Sequence, residues 1–190
     1  MNEKINFFEE RSQNISRQIK ALKATYNNYS IYRVIIFIGF TILAILFLNL
    51  RLLAPLILLV VVFIILFGLV VKKHNRIKKL AGLRQKLYEI NIEEGNRLKY
   101  KMDGMDEGLE FMNEDHSYSD DLDIFGRNSL FQLLNRAGTV KGRNLLADWL
   151  KGPSSRQEIE QRHTAVKELA SMIDWRQQVQ AHGRSSSNNV

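Results

Sequence analysis

Cysteine is absent from the 190 residues, which excludes a disulfide framework and any thiolate metal site. The four histidines are scattered without a close pair, so the spacing of an imidazole metal site is missing too. Proline occurs only twice, at Pro55 and Pro153, and each marks an element boundary. Charge is itself lacking over residues 34–71, where Arg51 is the only formally charged group. No residue stands in a pattern expected of a nucleophile, a general base or a metal ligand. No catalysis and no cofactor are therefore expected of these residues themselves.

What is present is segmented. Residues 72–101 carry ten basic groups against three acidic, residues 102–126 carry nine acidic and no basic, and residues 127–190 carry ten basic against five acidic. The overall net charge of +7 is modest, so placement matters more than total. The charge-poor block reads VIIFIGFTILAILFLNLRLLAPLILLVVVFIILFGLVV. As one helix it would run about 57 Å, roughly twice a hydrocarbon core of about 30 Å. Two spans, about 34–50 and 53–71, fit better. The break falls at Asn49 and Arg51, which are costly in lipid, and Pro55 is tolerated in the first turn of the second helix. Lys20, Lys23 and Arg33 before the block, and Lys72, Lys73, Arg76, Lys78 and Lys79 after it, outnumber Arg51. That bias predicts a multi-pass hairpin in a bacterial-type inner or plasma membrane with both termini cytoplasmic and the bilayer as a partner.

Residues 1–33 read as an amphipathic arm, with Phe8, Ser12, Ile15, Ile19, Leu22, Tyr26 and Tyr29 at alternating four- and three-residue steps. Residues 72–101 read as a basic juxtamembrane helix whose seam is Leu80, Leu83, Leu87 and Ile90. A hairpin returns the chain to the side it left, so the two arms are expected to pair antiparallel. Residues 102–121 lose the periodicity and concentrate acid, glycine and serine, the composition of a solvated linker with a short turn at 109–112. His116 is assigned to solvent there.

Beyond the linker, Asn128 or Ser129 can cap a helix with Leu130, Leu133 and Leu134 in its stripe. Gly138 is expected to end it in a left-handed conformation, and Thr139 to cap the next helix, about 140–151. That helix is expected to bury Leu145, Leu146, Trp149 and Leu150 and to turn Lys141, Arg143, Asp148 and Lys151 to water. Gly152 and Pro153 stop it. Ser155 to Glu158 has the spacing of a capping box opening a third helix along Ile159, Arg162, His163, Val166 and Leu169. Asp174 is expected to cap a fourth, ended by Gly183, with 184–190 as a polar tail. The corner NRAGTVKGRNLL resembles a phosphate loop only superficially. Lys141 precedes Gly142 rather than following it, and a helix rather than a strand leads in.

The run DLDIFGRNSLFQLLNRAGTVKGRNLLADWLKGPSSRQEIEQRHTAVKEL resembles the start of the core, or lever, domain of the MutS family of DNA mismatch repair ATPases. The matching positions are Leu122 and Ile124, Ser129 to Asn135, Thr139 and Gly142, Leu145, Leu146, Trp149, Leu150 and Pro153, then Ile159, Arg162, Ala165, Val166 and Leu169. An all-α architecture is expected, in which the two-span hairpin with flanking amphipathic helices follows from composition and spacing; the resemblance implies the partial MutS-like core domain over 122–183. It also implies mismatched-DNA binding, a homodimer, and a family ATPase using ATP and Mg. This chain carries no P-loop, so the ATPase is expected to be missing from it, as in an N-terminal fragment. Arg136, Lys141 and Arg143 are the candidate DNA-phosphate contacts. The competing reading is a membrane scaffold whose cytosolic helices bind a protein partner.

Overall fold

The computed structural model describes residues 2–113 and 118–187; His116 and the last three residues of the polar tail lie outside them. The chain is all-α. In order it forms α1 (Asn2–Asn49), α2 (Leu53–Leu98), a 3-10 turn (Leu109–Phe111), α3 (Leu130–Leu134), α4 (Val140–Lys151), α5 (Arg156–Ala170) and α6 (Ile173–Ser187). It divides into two compact units, one of residues 16–84 and one of residues 1–15 with 85–190.

The 16–84 unit is a two-helix hairpin. Residues 50–52 turn the chain, with Arg51 at φ 53°, and Pro55 sits in the first turn of α2, where an amide proton would lack a helical acceptor anyway. Aromatic side chains fill the seam: Phe40 stacks on Phe63 at 4.1 Å and Phe63 on Phe67 at 5.3 Å between ring centroids. Further along, Tyr26 lies against His74 at 4.3 Å. Most other apolar side chains of 34–71 point outward, among them Val34, Ile42 and Ile57. That pattern inverts the usual one for a domain surrounded by water. Both α1 and α2 are long and apolar enough to cross a membrane.

The arm seams follow their periodicity with one shift. Ser12, Ile15 and Ile19 are buried and Phe8, Leu22, Tyr26 and Tyr29 half-buried along α1. On α2, however, Leu80 is exposed, and the covered line runs through His74, Ile77, Ala81 and Tyr88 to Asn91, alongside Leu87 and Ile90. Two apolar lines coexist on that helix, and sequence spacing alone favours neither.

The second unit has its core around Ile124, Phe125, Phe131 and Ala147, with Phe111, Tyr118, Leu146 and Leu150 packed on it. Phe111, Phe125 and Phe131 form a triangle of rings 5.5–5.8 Å apart. Gly108, at φ 66°, enters the 3-10 turn so close to this triangle that a Cβ would stand 2.8 Å from the Phe131 ring. Much of the acidic segment read as a solvated linker is therefore packed. Met102 and Ser119 are buried, Phe111 joins the core, and the Tyr118 hydroxyl donates to the Leu150 carbonyl at 3.2 Å.

Other details also depart from expectation. On α4 the covered face is Arg143, Leu146, Ala147 and Leu150, while Leu145 and Trp149 are exposed. At about 100° per residue these two lie on the far side of the helix from Ala147. No residue of α5 is buried; Trp149 instead carries the Arg162 guanidinium 4.1 Å over its ring, and His163 is exposed. Helix α6 starts at Ile173, ahead of Asp174, and runs through Gly183 to Ser187.

Candidate functional site

The corner between α3 and α4 is held locally by capping side chains. Ser129 Oγ accepts the Gln132 amide at 3.2 Å, and Thr139 Oγ1 accepts the Gly142 amide at 3.2 Å. Each satisfies one of the amides left open at a helix start. Gln132 is buried and fully used: Nε2 donates to the Met102 and Met105 carbonyls at 2.9 and 3.0 Å, and Oε1 accepts the Asn128 amide at 2.8 Å. This ties the acidic segment to α3. Asn135 ends α3 at ψ 109°. Its Nδ2 donates to Asp106 at 2.9 Å and its Oδ1 accepts the Ala137 amide at 3.0 Å.

Gly138 does not take a left-handed conformation; the positive-φ glycines among the described residues are Gly104, Gly108 and Gly126. Its role is close approach. A Cβ there would come 2.6 Å from the Gln180 carbonyl oxygen and 3.2 Å from the Arg184 amide nitrogen of α6. Gly183 answers from the other side, where a Cβ would meet the Gly138 backbone at 3.0 Å. Gly183 is thus not a helix stop but the place where α6 lets the corner in.

Around this crossing lie four guanidinium groups and four carboxylates. Arg143 binds Asp106 through Nε and through Nη2, the latter at 2.7 Å, and Glu110 through Nη1. Its Cζ stands 4.8 Å from the Phe111 ring centroid. Arg136 forks onto Glu94, Nε at 2.7 Å and Nη2 at 2.9 Å, and its Nη1 donates to the Leu133 and Leu134 carbonyls at the end of α3. Arg184 forks onto Glu93 with two bonds of 2.6 Å. Arg97, 5% exposed, donates to the Asn135 carbonyl at 2.8 Å and meets Glu94 at 3.2 Å.

The electrostatics follow from these partners. The Arg143 hydrogen bond holds Asp106 below the ordinary carboxylate range, and the Gly108 amide adds to it. Arg143 likewise depresses Glu110, and the two carboxylates raise Arg143 in return. Burial pulls Arg97 down against the attraction of Glu94, while the bonds to Glu93 hold Arg184 up. Each Arg fork matches a carboxylate geometrically, which makes these the stronger kind of ion pair.

Of the three cations proposed to touch DNA phosphates, Arg136 and Arg143 are committed to carboxylates. Lys141 is exposed and forms no ion pair among the described residues. The pairing partners Asp106, Glu110, Glu93 and Glu94 were not assigned from sequence. For Asp106 and Glu110 the one signal was the charge segmentation, an acid-only stretch preceding a basic one; Glu93 and Glu94 lie in the basic stretch before it and carried no such signal. Among the described residues no group of three His, Asp or Glu side chains could hold a metal ion. The arrangement balances charge and locks a joint; it presents no nucleophile with an adjacent base.

Residues 107–188 match the family model for MutS domain III. No curated protein and no solved structure matches the chain. The matched stretch takes in the 3-10 turn, the Phe111 triangle, α3 to α6 and the Gly138–Gly183 crossing, and it starts inside the acidic segment. The second unit thus contains a MutS-related region.

Proposed function

We propose that this chain is the membrane-tethered portion of a MutS-like DNA mismatch repair protein, one that binds mismatched DNA in an ATP-dependent way. The observation that carries the reading is the domain III match over 107–188 in a chain that also holds two helices apolar enough to span a bilayer. The hairpin 34–71 anchors the molecule in lipid, with both arms on the cytoplasmic side as the flanking Lys and Arg bias requires. The part of such a protein that binds ATP and Mg is not among these residues, and they catalyse nothing themselves. Their role is mechanical. The Arg143–Asp106 and Arg184–Glu93 pairs make the corner stiff, so that α4 and α6 move as one body when a nucleotide-driven motion reaches them. Dimerisation follows the family.

The alternative is a membrane scaffold that binds a protein partner. Ile159 and Val166 on α5, 55% and 66% exposed, support it, since an uncovered apolar stripe suits a partner helix.

Flotation of neutral-lipid vesicles carrying the full chain, mixed with labelled mismatched duplex, tests both parts. The protein is expected to float and to carry DNA at low salt. The Lys141→Gln variant is expected to lower the slope of log affinity against log salt by about 0.9, one phosphate contact. Protein left at the bottom overturns the tether. Floating protein without DNA overturns the DNA reading and favours the scaffold.

A further inference from the structure

Between Glu10 and Glu89 the sequence contains no acidic residue, and residues 16–84 hold eleven Lys and Arg. That interval is the whole hairpin unit, and none of its cations forms an ion pair among the described residues. A unit of this charge, with no anion of its own, must take its counter-charge from outside.

Most of these cations, among them Lys20, Lys23, Lys72, Lys73, Arg76, Lys78 and Lys79, are exposed. Arg33 is half-buried, as is Arg84 at the edge of the unit, but Arg33 differs in what surrounds it. Its Nε is shut off from solvent with no hydrogen-bond partner, and its Cζ lies 5.7 Å from the Phe67 ring centroid. It closes the polar end of a crevice of about 380 Å³ whose lining is Ser30, Arg33, Val34, Phe37 and Phe67. The crevice is therefore amphipathic along its length. A hydroxyl and a guanidinium stand at one end, and the exposed apolar side chains Val34 and Phe37 begin the charge-free run at the other. Tyr29 and Tyr32, rings 5.8 Å apart edge to face, flank the polar end. Tyrosine at that level is typical of the headgroup layer.

We propose that this crevice is a binding site for an anionic phospholipid, whose phosphodiester takes the Arg33 fork and whose first acyl segment lies along Val34, Phe37 and Phe67. The chemistry is complementary at both ends. A phosphodiester offers two oxygens in the spacing a guanidinium matches, and it supplies the acceptor that Nε lacks. The unit's unbalanced positive charge selects against a zwitterionic headgroup, because no carboxylate in residues 16–84 is there to receive its ammonium. The proposal rests on the hairpin lying in a bilayer, and it goes further by fixing where one lipid is held.

The test uses the full chain reconstituted in nanodiscs of equimolar phosphatidylglycerol and phosphatidylcholine, released into detergent and weighed with its retained lipid by native mass spectrometry. Wild type is expected to retain phosphatidylglycerol about fivefold over phosphatidylcholine. Arg33→Gln and Phe67→Ala are expected to lose that enrichment while staying in the membrane through carbonate extraction, with unchanged helicity. Arg51→Gln, at the other end of the hairpin, is expected to keep it. Extraction of wild type by carbonate overturns the membrane reading and this proposal together. An inserted Arg33→Gln protein that still prefers phosphatidylglycerol overturns the site alone. So does displacement of the lipid by excess inorganic phosphate, which would make Arg33 a general anion site.

Discussion

Gly138 and Gly183 face each other across the crossing of the α3–α4 corner and α6, each leaving less than a methyl group's room for the other's backbone. The two are not equivalent. At Gly138 the obstruction is the Gln180 carbonyl oxygen at 2.6 Å, a backbone atom that cannot swing aside. At Gly183 the nearest atoms stand at 3.0 Å, and alanine would add about 1 kcal/mol of helix propensity inside α6.

Gly138→Ala is therefore expected to destabilise the second unit by about 2–3 kcal/mol, the upper part of the range for overpacking, because the neighbour is fixed backbone. Gly183→Ala is expected to cost about 1 kcal/mol or less, its propensity gain offsetting part of the strain. Urea titration of the full chain in detergent, followed by the fluorescence of Trp149 and Trp175, separates them. Equal effects would mean that the crossing is looser than the backbone distances state.

A second expectation concerns Asn91 of α2 and Gln177 of α6, both buried. Each amide donates to the other's oxygen at 3.1 Å. Asn91 also donates to the Leu87 carbonyl at 2.7 Å, and Arg11 Nε donates to Gln177 at 3.2 Å. Removing one partner strands the other, so Asn91→Leu and Gln177→Leu should each cost about 2 kcal/mol. Replacing both leaves nothing stranded on that pair, and the double variant is expected to cost about 1–2 kcal/mol less than the two single costs added. Additive losses in the same urea titration would show that the amides do not depend on each other.

How far the sequence carries these features depends on the range of the interaction. The caps at Ser129, Thr139 and Ser155 are decided within four residues and were legible, as were the α1 seam from Phe8 to Tyr29 and the turn at Arg51. The acidic segment was not, because its order comes from Asp106 meeting Arg143, 37 positions away, and from Phe111 meeting Phe131. A composition rich in Asp, Glu and Gly looks the same whether or not a basic helix is there to receive it. The same contact misdirected the face of α4. Arg143 reads as a solvent residue, yet it lies over the Phe111 ring and turns Trp149 outward. Gly183 reads as a helix end because glycine usually is one; only the approach of Gly138 reveals why it sits mid-helix.

The Arg143 cluster finally makes the second unit acid-sensitive in a defined direction. Asp106 and Glu110 are both depressed in the folded protein by their bonds to Arg143, from ordinary values of 3.8 and 4.5. A depressed carboxylate stabilises the fold above its unfolded value, and that contribution is lost as pH falls toward the folded one. Stability should thus decline as pH drops through about 4.5 and below. Arg143→Met keeps an apolar stem against Phe111 but removes the cation. It is expected to be less stable than wild type by about 1–2 kcal/mol at neutral pH, the lower part of the range for charged hydrogen bonds because the pair is partly exposed. As pH falls below about 4.5 toward the depressed folded values, the carboxylates of the wild type take up protons and the gap between the two proteins should narrow. Urea midpoints measured from pH 7 down to pH 3 decide the matter. A gap that stays constant over that range would assign the loss to packing on the Phe111 ring rather than to the ion pairs.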